Sequence, residues 1–304
     1  MRQVAFAVWA VSLAWGVPAA ARNCDRACTL QVVDAVLTAL QTGQFGTLLP
    51  RSVRVTENGR DIRPADSQFR ALKKVTYQHA FAEPPGGVAG LNGAADAYGG
   101  AAVFSMRLKL KGDQVTEIET LVVRRTEALM FSPETLVRTS DRDQILPPER
   151  RASGPDLMVI TDAWLDGVTQ GQTDGMPSTP DCKLTENGAR SASCRSITSL
   201  RGVTLIRDRR WPLVDDTRGL VWVFAVADIA ETTGVAVGRP ANRSARRPPH
   251  SVRIAALFRV EPGRISAVDL VLRDAPAGAL TGWAPPKVRK SPAFESRAVV
   301  TDGR

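Results

Sequence analysis

The chain has 304 residues, a formal charge of +9, four cysteines and only two histidines. It lacks the tight Cys/His spacing of a zinc site and a Gly-rich phosphate loop ahead of a helix. Its most basic stretch, with Arg239, Arg243, Arg246, Arg247 and Arg253, has none of the interleaved aromatic residues that a single-stranded nucleic acid would require. No metal, no cofactor and no nucleic-acid partner is expected.

The first residues, Met1-Arg2-Gln3, form a cationic head before an apolar run from Val4 to Val17, which Pro18 breaks. Ala19-Ala20-Ala21 then supplies the small residues a signal peptidase needs, so 1–21 read as an export signal and the mature chain is expected to begin near Arg22. The run is shorter than the about 20 apolar residues that span a bilayer, so no membrane association is expected after cleavage. The expected location is periplasmic or extracellular, where cysteines oxidise. Their positions suggest two local disulfides, Cys24 with Cys28 and Cys182 with Cys194.

An amphipathic helix follows, with Val32, Val33, Val36, Leu37 and Leu40 at helical spacing. Next comes the strand Val53–Glu57, then the turn signal Asn58-Gly59, since both residues tolerate positive φ. The segment Arg107–Glu119 alternates around a short polar turn, the pattern of a hairpin with one buried face. Ser140 to Pro155 is rich in Pro, Arg, Asp and Gly and reads as a linker.

The second half repeats this order. Ile160, Trp164, Leu165 and Val168 mark a helix, and Cys182-Lys183-Leu184-Thr185-Glu186-Asn187-Gly188 matches Val53-Arg54-Val55-Thr56-Glu57-Asn58-Gly59. Arg107–Glu119 lies without gaps on Leu257–Asp269, and the extra residues of the second copy are placed in the Arg/Pro-rich stretch after Gly234. The expected organisation is a first domain over 22–139, a linker over 140–155, a second domain over 156–283 and a loose tail over 284–304. Asn242-Arg243-Ser244 fits a glycosylation acceptor.

A leading helix, a short V-x-T-E-N-G-like strand and a closing antiparallel sheet resemble the nuclear transport factor 2-like, or SnoaL-like, cone fold. The chain also resembles an uncharacterised secreted family of bacteria and fungi with C-D-R-A-C and F-T-E-N-G motifs. Here these are Cys24-Asp25-Arg26-Ala27-Cys28 and Val55-Thr56-Glu57-Asn58-Gly59, with valine in place of phenylalanine. The resemblance implies an α+β chain of two tandem cone-shaped domains, each a curved antiparallel sheet packed on N-terminal helices. It also implies a conical pocket for a small apolar or aromatic molecule, and pairing through the sheets, as an internal pseudo-dimer or a homodimer. Relatives of this fold include cofactor-free lyases, isomerases and hydrolases as well as pure binding proteins, so fold does not select function.

Strand alternation puts Val53, Val55 and Glu57 on one face and Arg54, Thr56 and Asn58 on the other. The apolar members mark an inward face, so Glu57, and Glu186 in the second copy, are expected at the pocket. A desolvated carboxylate has a raised pKa, which suits a general acid or base. Ketosteroid isomerase-like relatives place an aspartate base in a comparable strand, where this chain has Glu57 followed by Asn58. Tyr77, His79 and Phe81 share a face of another strand, and His79 and Tyr77 are candidates to assist Glu57. The candidate pocket adds Val55, Asn58, Phe81, Glu186 and Asn187. Two readings stand: a cofactor-free enzyme acting through Glu57, His79 and Tyr77, and a non-catalytic ligand-binding or protein-interaction module. The structural alternative is that the two glutamates, each ahead of a turn, accept backbone hydrogen bonds or pair with an arginine, and that Trp283 is a packing residue.

Overall fold

The computed structural model describes residues 24–283 except 84, 86, 113, 138–142, 172–174 and 236–243. The export signal, the tail, part of the linker and Asn242 of the glycosylation triplet therefore lie outside the described residues.

The first half is built from α1 (Arg26–Thr42), β1 (Arg54–Glu57), β2 (Arg60–Ile62), β3 (Leu72–Glu83), β4 (Val88–Ala97), β5 (Ala102–Lys111) and β6 (Gln114–Arg124). The second comprises α2 (Gly154–Gln170), β7 (Ser178–Glu186), β8 (Ala189–Ser191), β9 (Val203–Asp215), β10 (Leu220–Ile229), β11 (Thr232–Val235), β12 (Ser244–Arg247), β13 (His250–Val260) and β14 (Ile265–Pro276). Each half holds one six-stranded sheet, in the orders β2-β1-β6-β5-β4-β3 and β8-β7-β14-β13-β10-β9. The two orders are the same, so the halves are two tandem α+β units of one design.

Two details differ from the sequence reading. Each sheet is mixed, because β1 runs parallel to β6 and β7 parallel to β14. The long excursion through the intervening meander lets the last strand return beside the first in the same direction, as parallel pairing requires. Among the described residues each half also has a single α-helix, supplemented by short 3₁₀ turns such as Gln68–Ala71 and Thr198–Leu200.

The helix ends are specified locally. The Asp25 side chain accepts from the Cys28 N–H, and Gly43 closes α1 at φ 74°. Ser153 caps α2, Pro155 lies in its first turn, and Gly171 ends it at φ 64°. Val33, Val36, Leu37 and Leu40 of α1 pack on Phe69, Phe104, Met106 and Ile118, while Trp164 and Leu165 of α2 pack on Val223, Phe258 and Leu270. Edge-on pairs of rings, Phe69–Phe104 at 5.0 Å and Trp164–Phe258 at 5.2 Å, fill the space between helix and sheet. Bulges near Lys74 and Tyr77 in β3, and between Arg207 and Leu213 in β9, bend these strands and curl the sheets over the helices.

The opposite faces of the two sheets meet. Phe81, Val103, Leu121 and Val123 form one cluster with Leu213, Trp222, Phe224, Leu257 and Val271. Trp222 is the centre, edge-on to Phe81 at 4.7 Å and to Phe224 at 4.9 Å. Gly90 lies beneath its ring, where any side chain would collide with the indole. Arg210 bridges the halves to Glu119, with Nη2 2.5 Å from Oε1, and Arg26 reaches Asp215 at 3.1 Å.

Each half also sends its last segment onto the other. The arm after β6 gives the Ser132 N–H to Asn187 O at 3.0 Å and the Thr135 hydroxyl to Gly188 O at 2.5 Å. The arm after β14 brings Gly282 O to Arg54 Nη2 at 2.7 Å. The β4–β5 connection is the turn 98–101, whereas β10 and β13 are separated by the β11–β12 ribbon. The insertion therefore falls where the Arg/Pro-rich stretch predicts it.

Candidate functional site

The repeated T-E-N-G word builds the same junction in both halves. Asn58 (φ 53°) and Gly59 (φ 75°) turn β1 into β2, and Asn187 (φ 48°) and Gly188 (φ 87°) turn β7 into β8. Positive φ at both central residues is the hairpin turn that matches strand twist. Glycine is also required for space, since a Cβ at Gly59 would strike Leu280 O and one at Gly188 would strike Ser132 O.

The asparagines extend the parallel ladder beyond the strand end. Asn58 Oδ1 accepts the Val122 N–H at 2.9 Å, and Asn187 Oδ1 accepts the Leu272 N–H at 2.9 Å. The glutamates cap the following 3₁₀ turn. Glu57 Oε2 accepts from Ser67 Oγ at 2.7 Å, from the Gln68 N–H at 3.1 Å and from Thr120 Oγ1 at 3.4 Å, while Oε1 takes the other arm of the Gln68 bond at 3.0 Å. Glu186 Oε1 accepts from Ser191 Oγ and the Thr198 N–H, both at 2.8 Å, and Oε2 from the Ser199 N–H at 2.7 Å. Both carboxylates are buried. Burial raises the Glu57 pKa above the ordinary carboxylate value, and the bonds from Ser67, Gln68 and Thr120 pull it partly back.

The sheet does not bring Glu57 together with His79 and Tyr77. Val55, next to Glu57, belongs to the helix-side core, whereas Phe81 and Tyr77 belong to the cluster between the sheets. Three strands separate β1 from β3, and four spacings of about 4.8 Å put the two about 19 Å apart. His79 is 2% exposed, with Nε2 3.0 Å from Asp143 Oδ1 and its ring edge-on to Phe81 at 5.6 Å. Val55, Asn58, Phe81, Glu186 and Asn187 are likewise packed into core or turn positions.

Open space lies elsewhere. A cleft of about 610 Å³ runs along the outer face of β7, β8, β13 and β14, beneath the arm residues Thr135, Leu136 and Val137. Its polar lining includes Lys183, Thr185, Arg190, Arg259, Glu261 and Asp269, and Tyr77 reaches it from the first half. Arg259 is buried and held by Glu261 at 2.7 Å, and Thr185 Oγ1 donates to Asp269 at 2.8 Å. Arg190 is exposed and forms no ion pair among the described residues. A second cleft of about 590 Å³, at the junction of the halves, is lined by Arg26, Asp215 and Arg218. There the charges satisfy one another, because Asp215 lies 3.1 Å from Arg26 and 3.2 Å from Arg218.

The sequence reading took the apolar strand face as the pocket side, so it passed over Lys183, Arg190 and Arg259 on the other. One signal was present: Lys183 and Thr185 alternate with Leu184 and Glu186, marking a second, polar face that needed a use.

The disulfides join Cys24 to Cys28 and Cys182 to Cys194. Among the described residues no helix is long and apolar enough to cross a membrane. Residues 150–272 match the family profile described as Domain of unknown function (DUF8021). No curated protein matches the chain. Among solved structures, a candidate polyketide cyclase from Xanthomonas campestris pv. campestris is 17% identical, with 40% of this chain and 92% of that chain covered and a TM-score of 0.30. AclR, a candidate hydroxylase from Streptomyces galilaeus, is 9% identical over 40% of this chain and 91% of its own, also with a TM-score of 0.30.

Proposed function

We propose that the protein is an exported, non-catalytic binding protein whose ligand site is the outer cleft of the second half. One observation carries this reading: the space between each helix and its sheet is packed with side chains, while the roomy, polar cleft lies on the other sheet face. A volume of about 610 Å³ falls within the range of about 300–1,000 Å³ typical of small-molecule sites. Oxidised cysteines and the apolar leader support export. The enzyme reading draws on the raised pKa of Glu57, and it requires a substrate to displace hydrogen bonds that hold the fold.

The test is a thermal-shift screen of residues 22–304 against a diverse small-molecule panel, repeated on Ala267→Trp, which fills the cleft. A ligand that binds the native state raises the melting temperature by mass action. Shifts that disappear in Ala267→Trp are expected. Shifts that survive it, or that are abolished only by Glu57→Gln with turnover of the compound, would overturn the reading.

A further inference from the structure

The two halves carry the same outer slot, and among the described residues one of the two is filled. In the first half Trp283 lies on the sheet, its ring 4.0 Å from the Arg54 guanidinium and 4.7 Å from that of Arg107. Its indole N–H donates to Thr56 Oγ1 at 2.7 Å, and the neighbouring carbonyl, Gly282 O, accepts from Arg54 Nη2 at 2.7 Å. An aromatic ring here meets a cation on its face and a hydroxyl at its N–H. The cation serves although it is engaged elsewhere, since Arg107 also pairs with Glu117 and Glu119.

Strand register identifies the matching positions. Arg54 pairs with Glu117 and Thr56 with Glu119, whereas Lys183 pairs with Ala267 and Thr185 with Asp269. Lys183 and Thr185 therefore stand where Arg54 and Thr56 stand in the filled slot. The arm over the second slot supplies Thr135, Leu136 and Val137 where the other arm supplies Trp283, and the open cleft lies beneath them. Thr185 spends its proton on Asp269, which leaves its lone pairs to accept an N–H, as Thr56 does from Trp283.

Charge is where the slots diverge. Asp61, which holds Arg54 at 2.9 Å, is replaced at the matching place opposite Thr185 by Arg190. Glu117 is replaced by Ala267. The open slot has thus exchanged one acid for a cation and another for a methyl group, and it has Leu257 opposite Asp269 where the filled slot has Arg107 opposite Glu119. A neutral indole satisfies the first slot, whereas in the second the three acids Asp181, Glu261 and Asp269 face three cations, of which Arg190 is exposed and forms no ion pair among the described residues.

Resting on the cleft reading above, we propose that this slot binds a planar aromatic acid. Its ring stacks on Lys183, its ring donor bonds to Thr185 Oγ1, and its carboxylate is received by Arg190. Isothermal titration of the full mature chain with indoleacetate, and with indoleacetamide as the uncharged analogue, tests this. Indoleacetate is expected to bind with one site per chain, and the amide about ten-fold more weakly or worse. Arg190→Asp, an exposed change, is expected to erase that preference, and Ala267→Trp to remove binding, with circular dichroism confirming that both variants fold. No binding of indoleacetate, or binding indifferent to both substitutions, overturns the proposal. If other panel compounds bind through the cleft while aromatic acids do not, the ligand class is wrong and the cleft stands. If nothing binds through the cleft, both fall together.

Discussion

Glu57 and Glu186 occupy equivalent positions, yet their hydrogen bonds predict different responses to the same isosteric change. Glu186 gives one oxygen to the Thr198 N–H and the other to the Ser199 N–H. A glutamine there must turn its NH₂ toward one of these backbone donors, whichever way the amide is oriented. One bond to a charged acceptor is lost and a backbone N–H is left unsatisfied, a cost of about 2 kcal/mol, within the ~1.5–3 typical of such bonds. At Glu57 the load is asymmetric: Oε2 receives Ser67, Gln68 and Thr120, whereas Oε1 receives only one arm of the bifurcated Gln68 bond. An amide oxygen in the place of Oε2 keeps every partner, and the neutral group escapes the desolvation that raises the Glu57 pKa. Glu57→Gln is therefore expected to change stability by less than about 1 kcal/mol. Urea unfolding at neutral pH separates the two cases. With a slope of about 3 kcal/mol/M, Glu186→Gln should lower the midpoint by roughly 0.7 M while Glu57→Gln barely moves it. Equal shifts, or a larger one at Glu57, would refute the reading of these residues as turn-capping acceptors.

Trp222→Ala, at the fully buried centre of the contact between the sheets, should cost about 3–5 kcal/mol and lower the melting temperature of the whole chain. An unchanged melting temperature would mean the halves do not stabilise one another there. The raised Glu57 pKa means that the folded state holds this proton more tightly than the unfolded chain. That contribution is fully present below the unfolded value of about 4.3 and is lost as pH rises through the folded value. The stability of Glu57→Gln relative to wild type should accordingly improve from acid to neutral pH, as unfolding titrations would show. Asp228 acts in the opposite sense. Its bond from Arg207 lowers its pKa, so its stabilisation holds above about pH 4 and fades as pH falls through its folded value. Reducing Cys182–Cys194, which closes a loop of sequence separation 12, should cost about 3 kcal/mol, measured by unfolding with and without reductant.

What the sequence disclosed and what it hid follow from physical range. Helix faces, the Asn-Gly turns, both disulfides and the duplication were legible because each depends on residues close in sequence or on two segments repeating one pattern. The parallel pairing of β1 with β6 was not, because it joins Arg54 to Glu117 across a long stretch with no local signal of direction. The candidate site was read from strand alternation, which correctly separated Glu57 from Thr56. Alternation names two faces without saying what covers each. The apolar face proved to be packed by a helix, and the polar face of β7 was left beside open space. Tyr77 lines the cleft, although on grounds different from those that selected it.

Duplication explains how one slot could stay open without loss of the fold. Each half needs a segment to cover its T-E-N-G turn, and each obtains it from the other half's closing arm, through Gly59 against Leu280 and Gly188 against Ser132. Once that cover is supplied, the residue a few positions further along the arm is free of the structural task. In one arm this residue is Trp283, whose ring seals the slot. In the other, the Thr135 hydroxyl bonds to Gly188 O and Ser132 O, and the turn is capped without the slot being filled. Arg190 stands there at no cost to the ladder, because β8 pairs through its backbone and the side chain is exposed at the edge of the cleft.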